Sequence, residues 1–196
     1  MVDSTATLMK STVSKPAEDF ALRLAEIHKK LKFSKNLKKA MKEVEIDMLS
    51  LLNCKLFTIY QSIDNGKEIE ATYKGGIGSN DSDIVIRVPF SATSLAGYAA
   101  LAQQPILVDD VYNSQALTNI HPRLRWDKTF SESKGLFCKS MLVVPIKDEI
   151  LLGVMQIINL KSDPVFTQED LANATLVAQM LGQTVPRRIP EYAGAV

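Results

Sequence analysis

Apolar positions in the first quarter of the chain fall on a helical repeat. Phe20, Leu24, Ile27 and Leu31 recur at spacings of four, three and four, behind Pro16, which suits a first helical turn. The stripe resumes as Leu37, Met41, Val44, Met48 and Leu51, out of step with the first, and Ser34 at the break can cap a new helix with its hydroxyl. Two amphipathic helices, 17–32 and 35–52, are predicted. Their apolar faces need a partner, either the chain's own sheet or, in part, a second copy across a heptad-like seam. At Lys55 the period drops to two. Residues 55–62 alternate, Asp64-Asn65-Gly66 is a strong tight-turn signal, and residues 67–74 alternate again, so the pair reads as a β-hairpin. A patch rich in Gly, Ser and Asp, 75–83, precedes a third strand that ends at Pro89.

The small-residue segment 94–104 predicts a short helix with Ser94 as its N-cap and Pro105 as its stop, followed by a buried strand with a polar end at Asp109 and Asp110. Residues 111–135 are long and polar for a connection, and segments of this kind inside compact domains are usually functional or mobile. Strands over 139–146 and 150–160 flank a turn at Lys147-Asp148-Glu149. Residues 166–185 then form a last helix, in which Thr167 and Asp170 have capping-box spacing with Asp in place of the usual Glu or Gln. The order is α-α-β-β-β-α-β-β-β-α, and two hairpins imply mostly antiparallel pairing. The expected fold class is therefore α/β: a sandwich around one sheet of about six strands, with the terminal helices on one face and the short helix plus long loop on the other. Residues 1–15, rich in Ser and Thr without periodicity, are expected to be a disordered N-terminus, 16–184 one domain, and 185–196 a linker or truncated C-terminus.

Composition narrows the function classes. A chain of 196 residues with 46% hydrophobic and 23% charged residues suits one globular domain with flanking segments. Its net charge of +1 supplies no overall field for nucleic acid. The charge is unevenly placed: seven lysines and no acid lie between Lys29 and Lys42, and the remaining 16 basic residues face 22 acidic ones. Such a stripe is most often a solvated helix face, with anionic lipid or RNA as the sharper alternative. Two cysteines and two histidines leave neither a disulfide framework nor a zinc site. With no apolar run near the roughly 20 residues that span a bilayer, and no signal-peptide h-region, a soluble cytoplasmic protein without membrane insertion is expected.

Few residues offer chemistry. His28 and His121 have no Ser or Cys nucleophile beside them in a strained turn, so no catalytic histidine is expected. Cys54, in apolar company, reads as an inert thiol. Cys138 follows the long loop next to Lys139, whose ammonium should lower its pKa, making it either a redox candidate or a small residue at a pocket edge. The glycine run at 75–78 lacks the Gly-Lys-Ser/Thr of a phosphate loop and precedes a strand, so it reads as a flexible turn. Asp81 and Asp83 lack the further oxygens a calcium loop needs, and no metal is expected. What remains is the helix start at Ser94, with the amides of Leu95 and Ala96, room for close backbone approach at Gly97 and Ala99, carboxylates at Asp109 and Asp127, and a cover from 130 to Cys138. This is a candidate small-molecule site, with plain core beneath a lid as the alternative. Its expected polar contacts are Ser94, Leu95, Ala96, Asp109 and Asp127, with Cys138 at the rim.

The order and spacing of residues 94–112, 134–160 and 166–179 resemble a GAF domain, over roughly 30–184. The carrying motifs are Ser94-x-Ala96-Gly97-x-x-Ala100 with Pro105-x-x-Val108-x-Asp110, then Ser140-x-Leu142-x-Val144-Pro145-Ile146 with Gly153-Val154-x-Gln156 and Asn159. The sequence looks most similar to the GAF domains of cyclic nucleotide phosphodiesterases and to those preceding bacterial type II secretion or type IV pilus assembly ATPases. Asn159, Phe166 and Asp170 match the phosphodiesterase-type motif and are implied to shape the pocket, whereas Leu160 stands at its Lys position, with Lys161 one residue later, and Leu171 at its Glu position. Gly135-Leu136-Phe137-Cys138 likewise replaces a common Gly-Phe-Arg-Thr, and these departures weigh against a cyclic nucleotide. The resemblance implies a non-enzymatic sensory module that binds a small ligand, pairs as a homodimer through its terminal helices and controls an output domain such as a downstream secretion or pilus ATPase. It names no cofactor. A ligand-free structural dimeriser is the alternative. A thiol-dependent free methionine sulfoxide reductase is a further one, but Cys54 and Cys138 do not reproduce that branch's cysteine cluster. The linker-like tail ending at Val196 is what a fragment or an N-terminal regulatory module would show.

Overall fold

The computed structural model describes residues 15–33, 37–78 and 85–184. Three helices come first: α1 (Lys15–Phe33), α2 (Leu37–Glu43) and α3 (Glu45–Leu51). They are followed by β1 (Leu56–Ile63), β2 (Glu68–Gly76), β3 (Arg87–Pro89), α4 (Leu95–Ala102) and β4 (Ile106–Val108). The rest is α5 (Ser114–Ile120), α6 (Thr129–Ser133), β5 (Cys138–Lys147), β6 (Leu151–Leu160) and α7 (Gln168–Thr184). The strands form one six-stranded sheet in the order β3-β2-β1-β6-β5-β4, antiparallel at every pairing. The expected α/β sandwich is the one observed.

Alternation along the central strands builds two cores, because successive side chains leave opposite faces of a strand. On β5, Leu142, Val144 and Ile146 face the terminal helices together with Phe57 and Ile59 of β1 and Met155 and Ile157 of β6. Ile27 and Leu31 of α1, Met41 and Met48 below it, and Val177 and Leu181 of α7 close that side. Met141 and Val143 point the other way, with Tyr60, Val154 and Ile158, against Leu95 and Ala99 of α4 and the side chains of Leu117 and Leu124. The terminal helix is capped as its spacing predicts. The Thr167 amide and hydroxyl both donate to the Asp170 carboxylate at 2.7 Å, and the Asp170 amide returns a bond to the Thr167 hydroxyl at 3.2 Å.

Three expectations change. The second helix bends at Val44 into α2 and α3, although the backbone ladder runs through it (Val44 N–H to Ala40 O, 3.1 Å; Met48 N–H to Val44 O, 2.8 Å). The bend places Glu45 in the interior, 9% exposed. The third strand is only three residues long. The stretch 111–135 is not a bare connection but carries α5 and α6. The Asn113 side-chain oxygen caps α5 by accepting from the Gln115 and Ala116 amides at 3.1 and 3.2 Å, while Leu117 and Leu124 are buried. Helices of one or two turns hold too few apolar positions for the 3.6-residue period to register. The Ser34 cap, the N-terminal segment before 15, the Asp81 and Asp83 patch and the tail after 184 lie outside the described residues.

Candidate functional site

The face of the sheet opposite the terminal helices carries a cavity of about 130 Å³ at its β1–β2 side. Its floor follows from strand register. Thr58 of β1 sits opposite Lys74 of β2 and opposite Gln156 of β6, so three polar side chains make one row across the sheet. Apolar residues flank the row, with Leu56 opposite Ile158 on one side and Tyr60 on the other. The cover comes from the second half of the 111–135 stretch and its exit into β5: Trp126, Asp127, Ser131, Lys134, Leu136 and Cys138. An apolar recess with a few converging polar groups is the usual make-up of a small-molecule site.

Some of the polar groups of this recess have no partner within the protein. The Trp126 indole N–H is buried with no acceptor in hydrogen-bonding geometry; the nearby Tyr112 hydroxyl, which donates to Glu132 at 3.0 Å, keeps its acceptor lone pairs but lies outside that geometry. Among the described residues the Thr58 hydroxyl and Gln156 amide have no side-chain hydrogen bond. Burial, and then the nearby Lys134 ammonium, lower the pKa of Lys74, so two like charges line the same cavity. The exposed Asp127 carboxyl is held below its ordinary value by the Thr129 hydroxyl and by the Thr129 amide, which donates to it at 3.0 Å.

Cys138 lies in the cavity wall, but its thiol is not activated. Burial pushes its pKa up against a smaller opposing contact from Ser131. The Lys139 ammonium, expected to lower that value, is turned away and bonds the Asp110 carboxylate at 2.5 Å. Burial raises the Cys54 thiol to about 12, and its side chain packs against the helix-side core on the other face of the sheet.

Of the residues expected to meet a ligand, Asp127 and Cys138 are in the cavity wall. Ser94, Leu95, Ala96 and Asp109 are not. The Ser94 hydroxyl oxygen caps its own helix, accepting from the Gly97 amide at 3.1 Å, and Leu95 and Ala96, the first residues of α4, are buried. The room at Gly97 is taken by the protein itself, since a Cβ there would lie 2.4 Å from the Pro89 carbonyl oxygen. Asp109 is exposed beyond β4, and its neighbour Asp110 accepts from the Tyr112 amide at 3.0 Å. The three motif residues lie towards the helix side. Asn159 accepts from the Lys55 amide at 3.1 Å and donates to the carbonyls of Asn53 and Pro164 at 3.0 and 3.2 Å. Phe166 is buried in the helix-side core, with its amide donating to the Ser140 hydroxyl at 2.9 Å, and Asp170 serves the cap of α7. Lys161 leaves the strand elsewhere, its ammonium over the rings of Tyr112 and Phe137 at 5.2 and 5.5 Å. Thr58, Lys74 and Gln156 escaped the sequence reading because the row depends on which strands are neighbours, while Trp126 and Lys134 lie in the 111–135 stretch without having been singled out. Alternation in β1 alone could have placed Thr58 beside Leu56 and Tyr60.

Among the described residues, no helix is long and apolar enough to cross a membrane. No curated protein matches the chain in sequence. Among solved structures, the GAF domain of a phosphoenolpyruvate-protein phosphotransferase from Coxiella burnetii superposes with a TM-score of 0.69 at 21% identity, covering 90% of this chain and 98% of that one. The A. Aeolicus nlh2 GAF domain in an inactive state gives a TM-score of 0.66 at 16% identity, with coverages of 88% and 98%. Free methionine-R-sulfoxide reductase from Neisseria meningitidis, in complex with its substrate, gives 0.65 at 16% identity, with coverages of 90% and 94%. At these identities the likeness is one of fold. The sequence profile of the GAF domain matches residues 36–185, and on that match the chain belongs to the GAF domain family of sensory and regulatory small-molecule-binding modules.

Proposed function

We propose that this protein is a non-catalytic sensor whose cavity over β1, β2 and β6 takes a small carboxylate of amino-acid size or less. The observation that carries this reading is the Lys74–Thr58–Gln156 row beneath the unpartnered Trp126 indole N–H, with Lys134 in the cover. Two ammonium groups suit a carboxylate, Asp127 suits an added ammonium, and Leu56, Ile86 and Ile158 suit a short apolar side chain. A volume of about 130 Å³ is below the roughly 300 Å³ at which drug-sized sites begin, which argues against a cyclic nucleotide, as do Leu160 and Leu171 in the motif. The raised thiol of Cys138 and the remoteness of Cys54 support binding without thiol chemistry.

The signal leaves through the terminal helices. A groove between α1 and α7 is lined by Ala17, Ala21 and Ala25, one helical turn apart, beside Leu24 and the 46%-exposed Leu176. A second copy of the same face packs there, and ligand shifts the pair between two arrangements by its differential affinity for them. The output is a domain such as the secretion or pilus ATPase that the sequence resemblance implies.

Trp126 is the chain's only tryptophan, so its fluorescence reports directly on the cavity. Titration with amino acids and short 2-oxo acids should find one that changes the emission and raises Tm, since a ligand at 100 times its Kd adds about 2.7 kcal/mol. Lys74→Met and Lys134→Met should each weaken it. A ligand whose affinity ignores both substitutions, or a full set of these acids without effect, refutes the reading. Reduction of free methionine sulfoxide by the wild-type protein would refute the non-catalytic part, and a monomer mass in light scattering at high micromolar concentration would refute the pairing.

A further inference from the structure

A second cavity, of about 200 Å³, lies on the opposite face of the sheet, between α2, α7 and the strands β1, β2, β5 and β6. Its body is apolar, made by Met41, Ile59, Ile146, Leu152 and Leu181, each at most 8% exposed. Irregularities in the sheet accompany it on both sides. The β1–β2 register shifts between Ile59 and Tyr60, where Thr72 is the extra residue and its hydroxyl donates to the Ile59 carbonyl at 3.2 Å. The β5–β6 register shifts between Ile146 and Lys147, where Leu152 is the extra residue. Bulges bend the strand that carries them and re-aim its side chains, and such features are enriched beside binding sites. The helix layer cannot settle inward to fill the gap. Gly182 of α7 already touches the sheet, since a Cβ there would lie 2.0 Å from the Lys147 carbonyl oxygen.

The rim has the opposite character. Lys38 is exposed and Gln61 half-buried, and among the described residues neither side chain has a hydrogen-bond or ion-pair partner. A dry cavity of about 150 Å³ lined by aliphatic and aromatic side chains is enough to hold benzene. This one therefore has room for a phenyl ring or a short alkyl chain, with an ammonium at its mouth. We infer that it is a second ligand site, for a small carboxylic acid whose aryl or alkyl body enters among Met41, Ile59, Leu152 and Leu181 while its carboxylate meets Lys38 and Gln61. The sheet divides this site from the cavity over Trp126, with Tyr60 of β1 the one residue that lines both. A ligand here contacts α2 and α7 directly.

Titration of the full chain with 3-phenylpropionate, followed by methyl NMR, tests this. Saturable shifts are expected at the methyls of Met41, Ile59, Leu152 and Leu181. Lys38→Glu, an exposed substitution, should weaken the acid by about fivefold, the size of one rim ion pair. It should leave the affinity of 3-phenylpropan-1-ol unchanged. No saturable shift, shifts confined to the methyls of Leu56 and Ile158, or an acid affinity that Lys38→Glu does not alter would each overturn the proposal.

Discussion

Replacing Glu45 by alanine removes a carboxylate that three donors share. The Tyr73 hydroxyl donates to it at 2.6 Å, the Lys42 ammonium at 2.8 Å and the Gly76 amide at 3.1 Å, while the Glu45 side chain is 12% exposed. Burial by itself raises the carboxyl pKa, and the bonds from Lys42, Tyr73 and Gly76 together outweigh it, so the folded value is lowered. Lys42 is 66% exposed and returns to water, so its share of the loss is below about 1 kcal/mol. The Tyr73 hydroxyl and the Gly76 amide lose their acceptor, at about 1–3 kcal/mol each. Glu45→Ala should therefore cost about 4 kcal/mol, a fall in Tm of roughly 8–16 °C for a domain of this size. Tyr73→Phe should cost about 1–2 kcal/mol, and the two losses should not add in the double mutant because they share one bond. Urea denaturation followed by far-UV circular dichroism measures all three. The acid response has a definite sign. Because the folded pKa is lowered, the stabilisation is complete above the unfolded carboxyl value of about 4.3 and is lost as pH falls through the folded value. The stability gap between wild type and Glu45→Gln should thus narrow on acidification. A cost for Glu45→Ala under about 1 kcal/mol, or a gap independent of pH, refutes this account of the bend at Val44.

Asn159→Ala deletes three hydrogen bonds from a side chain only 3% exposed and should cost about 3 kcal/mol by urea denaturation, without changing the Trp126 emission of the folded protein. Thr167→Ala removes half of the reciprocal cap of α7 and should cost about 1 kcal/mol, read from the same transition. Gly97→Ala sets a methyl against the Pro89 carbonyl and should lower stability by about 1–3 kcal/mol, with the loss of Tm measured by calorimetry. Leu176→Glu places a charge in the α1–α7 groove and should convert a dimer into a monomer of unchanged circular dichroism, checked by light scattering.

Local signals sufficed for the elements and the layer architecture. The change of period at Lys55, the Asp64-Asn65-Gly66 turn, the Ser94 cap and the Thr167–Asp170 pair each act within a few residues, so the sequence displays them directly. The near-continuous apolar runs of β5 and β6 are those of strands covered on both faces. Short α5 and α6 were hidden because one or two turns carry no readable period, and the bend at Val44 because its partners, Tyr73 and Gly76, are far along the chain. The candidate site was legible only at Asp127 and Cys138. Its polar row needs Thr58, Lys74 and Gln156 brought side by side from three strands, and strand neighbourhood is set by long-range packing rather than by local pattern. The pKa of Cys138 was decided in the same way: adjacency to Lys139 predicted a lowered value, but burial acts on the thiol while the ammonium is held by Asp110. Sequence thus determined the longer helices and strands and which of their faces are apolar, because those depend on contacts one or two turns away. Only the tertiary structure decided where the cavities lie and which charges face them, because those depend on the register between segments remote in the chain.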